Sequence, residues 1–371
     1  CAKPDRVPPG EPRPEAPPSL APVGWSDLPG WGASDAAPAL AAFKGVCKRF
    51  QRKPADEPVS KAWPELGSAG AWSDACASAS SVAPARAQAF VEANFRPFRV
   101  GAESDRGLFT GYFEPEIPGA RRKGGPYQTP LYVKPKDIVV ADLGAFSDDL
   151  AGKTLIGKVR DGRFEPYDDR AAIAAGSLAG RGLELVWLAD PIDGFFLEIQ
   201  GSGRIRLAGG GAMRVGYAGK NGRAYRAIGC DLIERGAIRR EDMSMQAIRS
   251  WLTANPGEAR EVMNLNRSVV FFIERTGPGP VGAAGTALTP GASLAVDPDF
   301  VALGSLLYLD APHPEAGAPP IRRLVVAEDT GGAIKGANRG DLFWGTGPAA
   351  GEFAGRMASR GRYYLLAPLG G

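Results

Sequence analysis

Histidine is almost absent from this chain of 371 residues, which contains only His313. Ser-His-Asp and Cys-His catalysis both require a histidine beside the nucleophile, and a zinc site with two histidines is excluded for the same reason. His313 lies in APHPEAGAPP, a Pro- and Gly-rich segment that is typical of a loop. We therefore expect no metal and no cofactor, and the catalytic chemistry has to come from carboxylates.

Long apolar and long basic runs are also lacking. No segment approaches the roughly 18 apolar residues of a membrane-spanning helix, and no basic stretch interleaved with aromatic residues suggests a nucleic acid. The net charge of +3 fits an acidic polymer such as the cell wall and equally an ordinary surface. Glycine and proline are abundant, at 50 and 33 residues, which favours a β-rich, turn-rich protein over a helical bundle.

Two aspartates flank a glycine-rich connection near the C-terminus. A strand-like run, Leu324 to Ala327, leads to Asp329, and a second begins at Asp341, twelve residues later. Glycines at the density found between them let a backbone turn sharply or approach a ligand closely. Aspartate-centred chemistry is therefore the leading catalytic hypothesis for this chain.

The first 22 residues contain eight prolines and little apolar bulk, which predicts an extended tether. A cysteine followed by such a tether resembles a mature bacterial lipoprotein, in which Cys1 would carry the lipid and attach the chain to a membrane surface. We expect the periplasmic face of a bacterial outer membrane. The alternative is a chain that merely happens to begin at this residue.

Three further cysteines lie inside the chain. An exported protein meets an oxidising compartment, where disulfides persist. Cys47 and Cys76 lie in similar short segments flanked by small residues, so we favour a disulfide between them and a buried free thiol at Cys230. The alternative is that all three are small core residues.

Periodicity divides the chain into alternating regions. Apolar residues at three-to-four spacing predict helices across 23–100 and again across 223–265. Alternating aromatic and Thr residues with Gly and Pro punctuation predict strands from 107, several short strands within 183–219, and a β-rich region after 268. The expected class is α+β, mainly β with additional helices.

Seven blocks then resemble, in order, the family of membrane-bound lytic murein transglycosylase A over roughly residues 107–367. The last two look like its three-aspartate domain, with Asp297, Asp329 and Asp341 at the three positions. One departure is Arg267, which stands where the family usually has a proline. The blocks are GYFEP (111–115), YQTPLY (127–132), FFLEIQGSGRIRL (195–207), RVGYAGKNGRAYRAIG (214–229), SMQAIRSWL (244–252), GAAGTALTPGASLAVDP (282–298) and AEDTGGAIKGANRGDLFWG (327–345).

The resemblance implies a two-domain fold with a substrate groove between the domains. A double-psi β-barrel domain with N-terminal helices would take residues 23–120 and 268–371. A smaller β-rich substrate-binding domain, 121–267, would be inserted into it, and the Pro-rich tether 1–22 would precede both.

The resemblance also implies an activity. The family cleaves the β-1,4 bond between N-acetylmuramic acid and N-acetylglucosamine without water and forms 1,6-anhydromuramoyl products, with Asp341 as acid and then base. One carboxylate can suffice because the substrate's own C6 hydroxyl is the nucleophile. An apolar wall would have to raise the pKa of Asp341, and Leu342, Phe343 and Trp344 are the local candidates.

Substrate contacts are expected from polar and aromatic residues in these blocks. Simple turn chemistry explains several of them equally well, since Asn-Gly is the commonest hairpin signal and Asp before Thr-Gly often caps a turn. Asp297 is read as structural, and Lys335 as a contact for an anionic lactyl or peptide carboxylate or as a solvated loop lysine. The candidates for binding are Thr110, Tyr112, Gln200, Gly201, Ser202, Gly203, Tyr217, Lys220, Asn221, Tyr225, Asp329 and Lys335.

Two rival functions stay open at this point. A true hydrolase would need a second carboxylate, for which Glu114 is the candidate, and would release a reducing muramic acid end. A non-catalytic wall-binding module would bind sacculi without cutting them. The expected partners are peptidoglycan glycan strands and, through the lipid anchor, a membrane; no nucleic-acid partner is expected, and partners in the wall machinery are unknown.

Overall fold

The computed structural model describes residues 19–101, 105–277 and 279–370. Cys1, the predicted lipid site, and most of the predicted tether lie outside these residues. The chain divides into two compact units, which we call the central unit (residues 114–280) and the barrel unit (19–113 together with 281–370).

The N-terminal part of the barrel unit is mainly helical, which confirms the prediction for this region. Ser68 caps one helix by accepting a hydrogen bond from the Ala71 amide at 3.4 Å. The last residues of the predicted tether form a strand instead. The elements are β1 (Leu20–Pro22), α1 (Ala37–Val46), α2 (Lys48–Gln51), α3 (Ala69–Ala79), α4 (Ala87–Asn94), β2 (Phe95–Val100) and β3 (Gly107–Glu114).

The central unit combines a six-stranded sheet, a three-stranded sheet and five helices among its described residues. Its elements are β4 (Glu116–Ala120), β5 (Thr129–Tyr132), β6 (Val139–Asp142), β7 (Thr154–Arg160), β8 (Arg163–Pro166), α5 (Arg170–Ala174), β9 (Glu184–Leu188), α6 (Pro191–Gln200), β10 (Ser202–Leu207), β11 (Ala212–Lys220), α7 (Ile228–Glu234), α8 (Met245–Ala254), α9 (Pro256–Leu265) and β12 (Val270–Arg275).

Pairing in the larger sheet follows the order β12-β11-β10-β4-β9-β5, and the smaller sheet is β6-β7-β8. Strands β4 and β12 therefore belong to the sheet of the central unit. The sequence placed both in the barrel domain, with boundaries at 120 and 268, whereas the compact units divide after residues 113 and 280. Helices α7 to α9 lie in the second region for which the sequence predicted helices.

Helix α6 corrects the expectation from the sequence, which predicted several short strands within 183–219. Asp190 caps the helix by accepting a hydrogen bond from the Ile192 amide at 2.8 Å, and Pro191 occupies its first turn. Gly201 ends it in the left-handed conformation, with φ of 76°. These terminal signals, together with burial of Phe195 and Phe196 on one side, outweigh the strand-like apolar pattern.

The C-terminal segment completes a closed barrel. Strand β17 pairs with both β14 and β3, so that the cycle β17-β14-β15-β13-β16-β3 closes on itself. The predicted α+β fold, with a β-barrel domain and a second β-rich domain within the chain, is confirmed. The remaining elements are β13 (Ser293–Val296), β14 (Leu306–Ala311), β15 (Ile321–Thr330), β16 (Arg339–Thr346), α10 (Pro348–Arg356) and β17 (Ala358–Pro368).

Two of the internal cysteines form a disulfide. Cys47, at the junction of α1 and α2, bonds to Cys76 in α3, the pair that the sequence favoured. Cys230 is half-buried and is not free, so the prediction of a buried free thiol is wrong. No helix within the described residues is long and apolar enough to cross a membrane.

Candidate active site

Three neighbouring strands of the barrel bring Asp329 and Asp341 to one place. In the β15-β13-β16 order, Ala295 of the middle strand is the register partner of Asp329 on one side and of Asp341 on the other. The two aspartates thus face each other across one strand. A short loop alone would not specify this arrangement, because it depends on the insertion of β13 between the strands that the loop connects.

Strand β3 supplies a hydroxyl to each aspartate. Thr110 donates a hydrogen bond to Asp341 Oδ1 at 2.7 Å, and the phenol of Tyr112 donates one to Asp329 Oδ2 at 3.1 Å. Residues two apart on a strand point to the same face, so one face of β3 serves both carboxyl groups. Thr110 and Tyr112, which the sequence placed among the substrate contacts, therefore hold the aspartates.

Burial raises the pKa of Asp341 to about 6, while the Thr110 hydrogen bond and the Arg339 charge lower it and the Asp329 charge raises it further. Strand alternation puts Phe343 on the same face as Asp341. The rings of Phe343 and Tyr112 lie 5.2 Å apart in one buried cluster. The sequence nominated three residues for the apolar wall, and we assign it to Phe343 with Tyr112.

The other two nominated residues face away from Asp341. Leu342 packs into the barrel core, where it is 1% exposed. Trp344 stacks on Phe353 with ring centroids 5.1 Å apart and meets His313 edge-on. The chain's single histidine is therefore part of an aromatic cluster.

Arg339 determines how the Thr110 hydroxyl is oriented. Its Nη2 lies 2.9 Å from Thr110 Oγ1, and a guanidinium can only donate. Thr110 must then accept from Arg339 and point its own proton at Asp341 Oδ1. Asp341 Oδ2 is consequently the oxygen of this carboxyl group that is left to carry a proton.

The hydrogen bonds from Arg339 to Thr110 and from Thr110 to Asp341 form a relay. This relay predicts a shift in the pH profile of the Thr110→Val variant. The hydrogen bond from Thr110 stabilises the carboxylate, so its loss should raise the pKa of Asp341, which burial already raises to about 6. If Asp341 is the general acid, as the sequence predicts, it must be protonated to act, so activity should persist to higher pH. We expect the alkaline limb of kcat/KM against pH to move up by about one unit. Thr110→Ser keeps the hydroxyl and should keep the wild-type limb; equal limbs for Val and Ser would contradict the relay.

Asp329 is held by the backbone as well as by Tyr112. Its Oδ1 accepts from the amides of Ala283 and Thr330, both at 2.9 Å. Burial raises the pKa of Asp329, and these three hydrogen bonds lower it. The carboxylate ties the 282–289 loop to the end of β15 and leaves its charge beside Asp341.

Asp297 anchors the glycine-rich loop. It is 3% exposed and accepts hydrogen bonds from Lys335 Nζ at 3.2 Å and from the Gly336 amide at 2.8 Å. Lys335 also lies 3.8 Å from Asp299. Asp297 and Lys335 therefore stabilise the loop before Asp341, in agreement with the structural role that the sequence suggested for Asp297. Among the described residues, no three His, Cys, Asp or Glu side chains group as a metal site.

The central unit holds the other predicted contacts. Gln200 ends α6, and its amide lies 3.6 Å from the Met245 sulfur. Ser202 pairs with Gly216 in the β10-β11 ladder. A Cβ on Gly203 would lie 2.3 Å from a Leu197 methyl carbon, so this glycine is needed for the packing of the strand against the preceding helix.

Four predicted residues follow along β11 and the turn after it. Tyr217 and Tyr225 expose 49% and 38% of their surface, and Lys220 is exposed at the end of the strand, so all three can meet a ligand. Asn221 is fully buried. Its carboxamide bonds to the carbonyls of Asp168 and Arg267 and accepts from backbone amides, which leaves it a structural role.

Two family models match parts of this chain. The family model for the MltA specific insert domain matches residues 108–273, and that for the 3D domain matches 292–367. Membrane-bound lytic murein transglycosylase A of Vibrio cholerae is 36% identical over 266 residues, which is 70% of this chain and 65% of that relative. The Escherichia coli K12 protein of the same name is 35% identical over 286 residues, covering 74% of this chain and 71% of the relative. The chain belongs to the family of membrane-bound lytic murein transglycosylase A.

Solved structures of lytic murein transglycosylases support the same conclusion. A membrane-bound lytic murein transglycosylase from Agrobacterium tumefaciens superposes with a TM-score of 0.84 and 33% identity, covering 94% of this chain and 98% of that chain. Escherichia coli MltA with bound chitohexaose gives a TM-score of 0.65 and 28% identity, covering 96% and 93%. The predicted lytic transglycosylase family is thereby confirmed.

Glu114 forms an ion pair with Arg214. It is fully buried, and both of its oxygens bond to Arg214, Oε1 to Nε at 2.7 Å and Oε2 to Nη2 at 3.3 Å. A carboxylate in a bidentate pair with an arginine is held in a fixed position. Glu114, the candidate for a hydrolytic second carboxylate, therefore has a structural role within the central unit.

Sequence reasoning missed two residues of the site. Arg339 precedes Asp341 by two positions, and the sequence analysis began the strand at Asp341, whereas β16 begins at Arg339. A strand extended by two residues would have put both on one face. Glu328 is fully buried and accepts from Thr286 at 2.8 Å and from Ser293, so it orders the same loop as Asp329. No local signal distinguished it.

Proposed function

We propose that this chain is a lytic transglycosylase that cleaves the β-1,4 bond between N-acetylmuramic acid and N-acetylglucosamine in peptidoglycan and leaves a 1,6-anhydromuramoyl end. The observation that carries the proposal is the state of Asp341, whose pKa burial raises to about 6 and whose Oδ1 is occupied by the Thr110 proton. Such a carboxyl group can both donate and accept a proton near neutral pH. The family to which the chain belongs is named for this reaction.

In the proposed reaction, Asp341 gives its proton to the glycosidic oxygen as the bond from this oxygen to C1 of the muramic acid residue breaks. The C6 hydroxyl of the same sugar then attacks C1, and the Asp341 carboxylate accepts the hydroxyl proton. The enzyme ends in its starting protonation state, and no water is consumed. Well-oriented intramolecular reactions reach effective molarities of about 10⁵–10⁸ M, so a second carboxylate is less needed.

Sugar contacts are proposed for two exposed and two half-buried residues of the central unit. Tyr217 and Tyr225 offer aromatic faces, and Ser202 and Gln200 can hydrogen-bond hydroxyl or acetamido groups. The Escherichia coli relative was solved with chitohexaose, an oligomer of N-acetylglucosamine, which supports a glycan ligand for this chain.

The products of digestion test the proposal. Purified protein is incubated with isolated sacculi, and the soluble fragments are weighed by mass spectrometry. A transglycosylase should yield muropeptides that are lighter by one water and that lack a reducing end. Reducing muramic acid ends would indicate a hydrolase instead, and intact sacculi with bound protein would indicate a wall-binding module.

Membrane association is proposed because the relatives are named as membrane-bound. The more specific hypothesis is a lipid on Cys1 at the periplasmic face of an outer membrane, which the Pro-rich composition of residues 1–22 favours. Fractionation of cells that express the chain with an export signal, compared with Cys1→Ala, addresses this point.

A further inference from the structure

An open pocket on the central unit takes no part in the chemistry proposed above. Its volume is about 580 Å³, within the range of roughly 300–1,000 Å³ that small-ligand sites occupy. The pocket lies where the hairpin of β7 and β8 meets the turn after β11. Its two walls differ in character, and the residues that define them are Leu155, Ile156, Phe164, Lys220, Arg223 and Arg267.

One wall is apolar and open to solvent. Leu155 and Phe164 are 50% and 42% exposed, which is high for side chains of this size on a sheet. Ile156 is half-buried and packs towards the core below the hairpin. A ligand with small apolar groups would therefore remove hydrocarbon surface from water at this wall.

The other wall is basic. Lys220 is exposed, Arg223 donates through Nε to the Tyr167 carbonyl, and Arg267 pairs through Nε with Asp169 at 3.0 Å. Asp169 is thus the carboxylate that offsets these three cations. The charges beside the neighbouring hairpin do not cancel the positive charge of this wall, because they form ion pairs of two cations with two carboxylates. The cations are Lys158 and Arg160, and the carboxylates are Glu165 and Asp168.

The backbone of the basic wall is fixed before any ligand arrives. The buried Asn221 amide donates to the Arg267 carbonyl at 2.9 Å, and its Oδ1 accepts from the amides of Val269 at 3.0 Å and Arg223 at 3.3 Å. Gly222 has φ of 78°, and a Cβ there would lie 2.5 Å from the Ile156 carbonyl oxygen. A preorganised backbone lowers the entropic cost of ligand binding.

We propose that this pocket binds the carboxylates of the peptides that peptidoglycan strands carry. Carboxylates would meet Arg267 and Lys220, and the small apolar side chains of the peptide would lie against Leu155 and Phe164. The inference rests on the proposed function, since it names a second feature of the same substrate. It gives the protein a means of distinguishing glycan strands that bear peptides from those that lack them.

The test uses the full chain and two forms of one peptide. L-alanyl-γ-D-glutamyl-diaminopimelate is titrated against the protein by ligand-observed NMR, and the same peptide with its carboxylates converted to amides serves as the neutral form. We expect the acidic form to bind and the amide form to bind at least about tenfold more weakly, because charge-assisted hydrogen bonds to Arg and Lys are lost. Added salt should weaken the acidic peptide's binding.

Two variants locate the binding. Arg267→Gln should weaken the acidic peptide's binding about three- to tenfold, and Phe164→Ser should weaken it by a similar factor. Arg122→Gln, which removes an exposed cation elsewhere in the central unit, should bind like the wild type. Thermal unfolding of each variant establishes that it is folded, and the Phe164 variant keeps the test decisive if Arg267→Gln does not fold.

Cleavage of peptide-free glycan separates this inference from the proposed function. Arg267→Gln should cleave peptide-free strands at the wild-type rate and peptide-bearing strands more slowly at subsaturating concentration. Equal binding of the acidic and amide peptides, or wild-type binding by both pocket variants, would overturn the pocket assignment while leaving the transglycosylase proposal intact. Failure of the wild type to cleave any glycan would instead refute the proposed function.

Discussion

Asp341→Asn is expected to abolish turnover and to leave glycan binding intact. The substitution keeps the size and shape of the side chain but removes the proton that the proposed reaction transfers first. General acid–base participation contributes roughly 10²–10⁴-fold, and a group that acts alone as acid and base should lie at or above about 10⁴-fold. The rate of release of soluble muropeptides from sacculi measures the loss.

The control for this prediction is Asp74→Asn, which makes the same chemical change on the exposed side of α3 and should leave the rate unchanged. Binding of chitohexaose should be similar in the wild type and in both variants. Residual activity of Asp341→Asn within about tenfold of the wild type would assign the acid to another residue. Lost chitohexaose binding would indicate that Asn at this position disturbs the barrel.

Removal of the disulfide by Cys47→Ala together with Cys76→Ala is expected to lower the free energy of unfolding by about 3 kcal/mol. The bridge closes a loop between residues 29 apart, and opening it enlarges the unfolded ensemble. The helices that it joins pack against the barrel through Phe43 and Trp72. The N-terminal region should therefore unfold first in the variant. Urea unfolding followed by tryptophan fluorescence provides the measurement.

Substitution is preferable to chemical reduction in this experiment, because it removes only the Cys47–Cys76 bridge. Ser78→Ala, on the exposed side of the same helix as Cys76, provides the matched control and should change stability little. A loss of less than about 1 kcal/mol in the double variant would mean that the unfolded chain stays compact in this region without the bridge.

The sequence by itself indicated the class of chemistry, because a single histidine excludes histidine-dependent triads and leaves carboxylates. Seven ordered sequence blocks also indicated one family. The sequence also nominated Asp341 as the catalytic residue and predicted the helical N-terminal region and the Cys47–Cys76 pair, of which the structure confirms the last two. These conclusions rest on composition, short motifs and local periodicity, which are properties of contiguous residues. Local signals failed where two compete, as in α6, whose apolar run reads as a strand unless the capping by Asp190 and Gly201 is weighed.

The tertiary structure alone decided how the site is assembled. Thr110 and Asp341 are 231 residues apart, and their hydrogen bond depends on barrel closure, as does the orientation of Thr110 by Arg339. The placement of Ala295 between the two aspartates follows from the strand order, which no local pattern encodes. Burial also depends on the tertiary structure, because residues distant in sequence create it. It raises the pKa of Asp341 to about 6. It also gives a structural role to Asn221, which lies in a turn that the sequence analysis considered a binding loop.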